Sequence, residues 1–133
     1  MIDNIAIGQS SDFSNVISID DLKTHLRVLH NDENTLIGSY RDAACEYVQQ
    51  YTGVRLTQTT ATIRTNRWGI VELPIAPITN VVHVKYKEDN SDRLTTMPTS
   101  DFTADIKRVP ALIKFHTSPG THANHIYPIE IEL

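Results

Sequence analysis

The sequence predicts an α+β fold, in which an N-terminal arm and a helical hairpin precede a small antiparallel β unit. Two observations lead to this prediction. Apolar residues recur at helical spacing up to Gly53, and beyond that glycine the spacing changes to two, which is typical of strands. We therefore expect residues 1–16 to form an extended arm and residues 17–133 to form one domain, with helices over about 18–51 and the β unit over about 56–133.

The arm, residues 1–16, is polar and has scattered apolar side chains without a sustained period. One interpretation is a frayed terminus, because the ends of domains are often poorly ordered. A solvated tail usually carries fewer apolar groups, however. Ile5, Ile7 and Phe13 therefore suggest an arm whose apolar side chains are buried on a neighbouring subunit or on another protein.

The first helix is predicted to begin after Ser18, which is a suitable N-cap residue. Asp20 and Asp21 then lie in the first turn, where carboxylates suit the helix dipole. Leu22 and Leu26 share one face with Ile19. Lys23 and Arg27 lie on the polar side, as does Arg41 in the second helix, and these three are candidate contacts to acidic groups of other subunits or of a partner protein.

The second helix is expected to be capped by Asn31 or Asp32, to run to about Tyr51 and to end at Gly53. Its apolar residues recur at i, i+1, i+4, i+7, i+8, i+11, i+12 and i+15, which is a helical stripe. We expect this stripe to form the internal core of the hairpin together with the first helix. The predicted core residues are Leu22, Leu26, Leu36, Tyr40, Ala44, Tyr47 and Val48.

Short strands are predicted from Thr57 to the C-terminus, separated by proline and polar turns. The last segment, "IEIEL", is a regular alternation that places Ile129, Ile131 and Leu133 on one face. The predicted strands are Thr57–Arg64, Ile70–Leu73, Val81–Lys87, a return strand near Leu94, Phe102–Ala104, Ala111–Phe115 and the C-terminal segment.

Composition narrows the class of protein. A length of 133 residues with 40% hydrophobic residues suits one globular domain, and a net charge of −4 argues against a general nucleic-acid-binding surface. No apolar run approaches the roughly 20 residues that span a bilayer, and the start lacks the features of a signal peptide. The single cysteine, Cys45, suits a reducing cytoplasm and is expected to be a buried structural thiol. We expect a soluble, intracellular protein.

The histidines are the candidates for metal chemistry. His116, His122 and His125 cluster around one predicted loop, and His122-x-x-His125 has a ligand-like spacing. Zinc requires three or four convergent ligands, and no second cysteine or H-E-x-x-H helix provides them. Surface-loop histidines are therefore the simpler interpretation, and a metal-dependent enzyme using this loop is an alternative. We predict no catalytic, cofactor-binding or metal-binding residue, and no cofactor.

Trp68 lies in "TNRWGI", between polar residues and a glycine. Tryptophan is enriched at the centres of protein interfaces, so Trp68 is a candidate interface anchor. Packing of its ring over the small sheet is the alternative.

Four segments resemble the head–tail connector (adaptor, or head-completion) proteins of tailed bacteriophages. Ser18–Leu26 matches the short first helix, and Tyr47–Leu56 matches the end of the second helix with its Tyr-Thr-Gly. Leu73–Tyr86 matches a Leu-Pro-x-x-Pro segment that enters a valine-rich strand, and Pro98–Phe102 matches a Pro-x-x-Asp-aromatic segment. The resemblance covers roughly residues 17–133, and the order and spacing of the segments carry it. Many members continue into further helices, whereas this sequence ends at Leu133.

The resemblance implies a structural virion protein of the neck, at the head–tail interface, that is assembled in the host cytoplasm. It implies a dodecameric ring that binds the portal protein after DNA packaging, extends the DNA channel and offers a platform for a tail or neck protein. Genome DNA would pass through this ring without specific binding, and no membrane is involved. Another phage neck protein, a stopper or a tail terminator, is the alternative within the same setting.

The acidic turn Glu88-Asp-Asn-Ser-Asp92 is the sharpest acidic feature of the sequence. Each basic contact to phosphate adds salt-dependent affinity, so a lumen that DNA passes should be neutral or acidic. Glu88, Asp89 and Asp92 are therefore candidates to face the channel or the next ring of the neck. A solvated hairpin tip is the alternative.

Overall fold

The computed structural model describes residues 2–8, 12–89 and 91–133, and for residues 2 and 3 the backbone alone. The helices precede nearly all of the strands, which confirms the predicted α+β class. In chain order the elements are β1 (Ile2–Ile7), α1 (Ile19–Leu26), α2 (Asn34–Thr52), β2 (Ala61–Thr65), β3 (Ile70–Leu73), β4 (His83–Lys87), β5 (Leu94–Thr96), β6 (Phe102–Asp105), β7 (Ala111–Phe115) and β8 (Ile129–Glu132). A short 3-10 turn, Thr99–Asp101, precedes β6.

The chain forms two compact units. The β unit comprises Met1–Gly8 and Thr60–Leu133, and the helical unit comprises Gln9–Thr59. This division differs from the expected arm over 1–16 and single domain over 17–133. It differs because β1 lies antiparallel to β2, so the start of the chain is a strand of the β unit.

The β unit contains two antiparallel sheets. One has five strands in the order β1-β2-β8-β4-β5, and the other has three in the order β3-β7-β6. The strands predicted at Ile70–Leu73 and Ala111–Phe115 are confirmed at those bounds. The predicted strand Thr57–Arg64 begins four residues later, at Ala61, and the predicted Val81–Lys87 begins at His83.

One apolar core serves both sheets. Alternate residues of β2, β7 and β8 are buried, as the period of two predicts, and Ile63, Ile113 and Ile131 have no exposed surface. The buried cluster consists of Ala61, Ile63, Val71, Leu73, Ile75, Val84, Met97, Ala111, Ile113, Phe115, Ile129 and Ile131. Burial of one such aliphatic side chain contributes roughly 1.5–3 kcal/mol, so this cluster is the main source of stability in the β unit.

The helical unit begins with a turn and a capped helix. Val16 N–H and Ile17 N–H both donate to the Phe13 carbonyl, which folds the chain back before α1. Ser18 Oγ accepts from Asp21 N–H at 3.1 Å, which confirms the predicted N-cap. At the other end Arg27 adopts a left-handed conformation with φ of 59° and ends α1.

The sequence predicts the end of helix α2 correctly, but it does not predict its beginning. Its N-cap is Glu33, which makes no side-chain capping bond, so the prediction of Asn31 or Asp32 as the cap is wrong. Its C-cap is Gly53 with φ of 71°, whose N–H donates to the Gln49 carbonyl at 2.9 Å, as predicted. Glycine suits that position because other residues are strained at positive φ.

The predicted hairpin core is wrong for most of its residues. Helix α2 buries Ile37, Cys45 and Gln49, whose spacing of four and eight places them on one face. Of the predicted core residues, Leu22 is half-buried and the others are exposed: Leu26, Leu36, Tyr40, Ala44, Tyr47 and Val48. Helical periodicity identifies an apolar side of a helix, but it does not show whether the same chain covers that side.

Candidate assembly surface

A strip of exposed apolar side chains runs along α2, beside the buried face. Spacings of four, seven and eleven residues keep such side chains on one side of a helix, which advances about 100° per residue. The strip consists of Leu36, Tyr40, Ala44, Tyr47, Val48 and Tyr51, and we call it the α2 strip. Tyr40 and Tyr47 are each 67% exposed and Tyr51 is 81% exposed. A soluble monomer seldom presents such a continuous apolar surface, which more often marks a protein contact.

The buried face of α2 holds the strip in place. Gln49 is buried, and its Oε1 accepts from Leu56 N–H at 2.9 Å, which ties the end of the helix to the following chain. Ile37 and Cys45 are buried on the same side. The α2 strip is therefore carried by a helix of 19 residues that is anchored along its other face.

Three of the six residues in the α2 strip are tyrosines. The rings of Tyr47 and Tyr51 are stacked, with centroids 6.2 Å apart and an interplanar angle of 14°. A tyrosine offers a large apolar ring together with a hydroxyl that can hydrogen-bond, which is why tyrosine is enriched at protein interfaces. Both side chains of the stacked pair remain largely exposed, so both are available for a contact.

The basic candidate contacts are placed unequally. Lys23 is buried and its Nζ donates to Asn31 Oδ1, so it has a partner inside its own unit. Arg41 Nε donates to Asp42 Oδ1 at 2.8 Å, and its side chain is only 10% exposed. Arg27 is exposed at the left-handed C-cap of α1. Of the three, Arg27 is the one that is open to another molecule.

The candidate contact residues near the N-terminus also differ in how exposed they are. Phe13 has no exposed surface, so its side chain is not accessible for the predicted contact to another subunit. Ile7 is half-buried and packs against the core cluster of the β unit, because β1 pairs with β2. Ile5 is 41% exposed on β1, which is an edge strand of the five-stranded sheet. Ile5 alone remains available for a contact.

Trp68 packs inside the β unit. Its Nε1 donates to the Pro119 carbonyl at 3.0 Å, and its ring meets Tyr86 and Phe115 edge-on at 5.7 and 4.9 Å. The ring packs against the core cluster. Of the two alternatives in the sequence, packing over the sheet is the one observed.

The acidic turn after β4 is tied to the loop between β7 and β8. Glu88 Oε1 accepts from Thr95 Oγ1 at 2.9 Å, and the backbone of Glu88 forms a bridge with Thr121. Asp92 Oδ1 accepts from His125 Nε2 at 2.6 Å, and this hydrogen bond lowers the pKa of the Asp92 carboxyl. Asn90, in the middle of the turn, lies outside the described residues. Both ends of the turn, Glu88 and Asp92, thus form contacts within the β unit.

The three loop histidines do not all converge. His122 and His125 lie together, with ring centroids 4.8 Å apart, whereas His116 contacts Thr103 Oγ1 at 2.8 Å. Asp92 takes the third place beside His122 and His125, and the candidate ligand atoms of these three lie within 4.8 Å of one another. The sequence could not indicate Asp92 as a neighbour of these histidines, because 30 residues or more separate it from them.

No helix within the described residues is long and apolar enough to cross a membrane.

Comparison with known proteins agrees with this fold. The family model described as "Phage gp6-like head-tail connector protein" matches residues 16–105, which is more than half of the chain. No curated protein matches the chain. The family match confirms the resemblance predicted from the sequence.

Two solved structures share the fold of almost the whole chain. A chain from the neck of an empty gene transfer agent particle, computed with C6 symmetry, is 17% identical with a TM-score of 0.73 and covers 97% of this chain and 69% of its own length. A chain from the virion of a native gene transfer agent particle is 16% identical with a TM-score of 0.74, with coverages of 96% and 69%. At such identities the likeness concerns the fold.

Proposed function

Because the chain belongs to the phage gp6-like head-tail connector family, we propose that it is a structural protein of a phage neck. In this role it forms a ring on the portal vertex after DNA packaging, extends the DNA channel and provides the platform for tail attachment. The observation that carries the proposal is the α2 strip, an apolar surface that is exposed among the described residues.

A ring covers such a surface in every copy. In a cyclic assembly each subunit meets its neighbours through two different surfaces, so the α2 strip of one copy is covered by a second surface of the next. Burial of each large side chain contributes roughly 1.5–3 kcal/mol, and the α2 strip carries five side chains larger than alanine. The C6 symmetry of the related gene transfer agent neck supports a closed ring, and the dodecamer is what the family resemblance implies.

Contacts to the portal are proposed for exposed residues outside the α2 strip. Arg27 offers a guanidinium at the end of α1, and Ile5 offers an apolar side chain on the edge strand β1. An arginine of this kind suits carboxylates of a partner protein, since its planar fork binds them in a bidentate manner.

Passage of DNA without binding follows from the charge balance. The chain carries 16 acidic and 12 basic residues, and two of its basic groups, Lys23 and Arg41, are already engaged. We therefore predict no measurable binding to duplex DNA near physiological salt. A gel-shift experiment checks this, and sub-micromolar binding by the wild-type chain would indicate a DNA-gripping role instead.

Ring formation is tested with the purified chain by mass photometry and negative-stain electron microscopy, with and without portal protein. We expect rings from the wild-type chain, and none from the double variant Tyr40→Asp/Tyr47→Asp at the same concentration. A charge in a covered apolar surface opposes association, because desolvating it has no compensating partner. Circular dichroism should show that the double variant is folded.

The matched control is Gln50→Asp, an exposed position of α2 outside the strip. Together with Ser39→Asp, at a second exposed position of α2 outside the strip, it adds the same two negative charges to the same helix and should leave the rings intact. Equal ring formation by Tyr40→Asp/Tyr47→Asp and by Ser39→Asp/Gln50→Asp would contradict the assignment of the α2 strip to the subunit interface. A wild-type chain that stays monomeric even with portal protein would contradict the ring itself.

A further inference from the structure

We propose that Asp92, His122 and His125 form a binding site for a divalent first-row transition metal, with Zn²⁺ as the best match. The site lies wholly within the β unit, between the turn after β4 and the loop between β7 and β8. Its predicted effect is structural, because a bound ion would join these two segments. The proposal does not depend on the connector role.

The backbone holds the three residues at this place. His122 N–H donates to the Lys87 carbonyl at 3.0 Å, which fixes His122 beside the end of β4. His125 N–H donates to the His122 carbonyl at 3.1 Å, so the two histidines stand one turn apart in the same loop. Asp92 faces them from the other segment, through its contact with His125. The ligands are thus brought together by strand pairing and a turn before any ion binds.

The ring nitrogens show which atoms would face the ion. Nδ1 of His122 accepts from Asn124 N–H at 3.2 Å, and Nδ1 of His125 lies 3.4 Å from Lys87 Nζ. Nε2 of each ring is left for a ligand, and Nε2 of His125 already points at Asp92 Oδ1. Because a metal on Nε2 leaves the proton of the neutral imidazole on Nδ1, the hydrogen bond from Asn124 N–H to His122 must open when the ion binds. The geometry assigns two imidazole nitrogens and one carboxylate oxygen to the site, with the remaining coordination positions open to water.

The distances suit a zinc-sized ion. Zinc–nitrogen and zinc–oxygen bonds of about 2.0–2.2 Å place two tetrahedral ligands about 3.4 Å apart. The candidate atoms lie within 4.8 Å of one another, and the closest pair, between His125 and Asp92, is 2.6 Å. Changes of about 1 Å are therefore needed, and side-chain rotations supply them because Asp92 is 84% exposed. Two imidazoles favour zinc and similar ions over Mg²⁺ or Ca²⁺, which prefer oxygen ligands.

Lys87 opposes the ion. A neutral imidazole carries one proton, which moves from Nε2 to Nδ1 when Nε2 binds a metal. Nδ1 of His125 then becomes a donor that faces the Lys87 ammonium, so Lys87 must turn away. Its positive charge also disfavours a cation nearby. Removing this charge should therefore strengthen metal binding, which distinguishes a metal site from a cluster held only by its hydrogen bonds.

The proposal is tested on the full, untagged chain after treatment with a chelator and dialysis. We expect titration with ZnCl2 to show one ion per chain by calorimetry and elemental analysis, and a rise in Tm. His122→Ala and His125→Ala should each weaken binding at least about tenfold. His116→Ala is the matched control, since His116 is bound to Thr103 instead, and it should bind as the wild type does. Lys87→Gln should bind more tightly.

A second measurement does not depend on the folding of variants. In NMR spectra of the wild-type chain, the imidazole signals of His122 and His125 should shift with one equivalent of Zn²⁺, whereas those of His116 should not. The proposal is overturned by a wild-type chain that binds no Zn²⁺ at tens of micromolar, by shifts spread equally over the histidines, or by equal loss in His116→Ala and His122→Ala. Failure here would leave the ring experiments unaffected.

Discussion

The two units of the chain use their apolar residues in different ways. In the β unit the alternating apolar residues of both sheets meet in one buried cluster. In the helical unit the longest apolar pattern of the sequence lies mostly outside, on the α2 strip. A strong apolar pattern therefore indicates a surface that is suited to being covered, but it does not show by which chain. The first unit is built for its own stability, and we infer that the second is built for assembly.

The largest effect is expected in the core of the β unit. Ile131→Ala removes a side chain with no exposed surface, and the cavity together with the lost burial should reduce the free energy of unfolding by about 2–5 kcal/mol. Ile70→Ala is the control, because Ile70 is 62% exposed on β3. Urea unfolding measures both variants. A similar loss at both positions would mean that the core is not where the structure places it.

A smaller effect is expected at the anchor of α2. Gln49→Leu places an apolar side chain of similar size at this buried position but leaves Leu56 N–H without its acceptor, which should cost about 1–3 kcal/mol. Gln50→Leu is the matched control at the adjacent exposed position, and it should change stability little. Thermal unfolding at low protein concentration checks this. If Gln49→Leu is as stable as Gln50→Leu, the hydrogen bond does not anchor the helix.

The smallest effect is expected at Ala44, in the α2 strip. The sequence alone predicts that Ala44→Asp buries an unpaired charge and costs several kcal/mol. Because Ala44 is exposed, we expect about 0.5 kcal/mol, from the lower helix propensity of aspartate. Cys45→Asp, one residue further and buried, should show the loss of several kcal/mol instead. If both variants, measured as dissociated subunits, lose the same free energy of unfolding, then Ala44 is buried as the sequence predicts.

Much of the fold is predictable from short patterns. Ser18 and Gly53 mark helix ends because capping and positive φ are properties of one or two residues. The strands with clear alternation, such as β8, are equally local. What the sequence does not show is pairing: β1 looked like part of an arm because the partner of an isolated strand, β2, lies more than 50 residues away. Even so, the alternation of Ile5 and Ile7 was a signal for it.

The candidate sites were predicted less well, for the same reason. Charged and aromatic residues are typical of contacts between proteins, which is why the sequence indicates Lys23, Arg41 and Phe13. In the structure Lys23 and Arg41 bind side chains of their own chain, and Phe13 is buried. The sequence correctly predicts that the tyrosines of the α2 strip share one side of a helix, but the predicted burial of Tyr40 and Tyr47 inside the hairpin is wrong. Exposure depends on the packing of the whole unit, which no local pattern contains.

We infer that assembly covers the α2 strip. The most direct measurement is the rate of chemical modification of each tyrosine in assembled necks and in dissociated subunits. We predict that the modification rates of Tyr40, Tyr47 and Tyr51 fall on assembly, by about tenfold or more for each side chain that becomes fully covered. The rate of Tyr86, which is half-buried in the β unit, should change little. Unchanged rates at all three strip tyrosines would contradict the account.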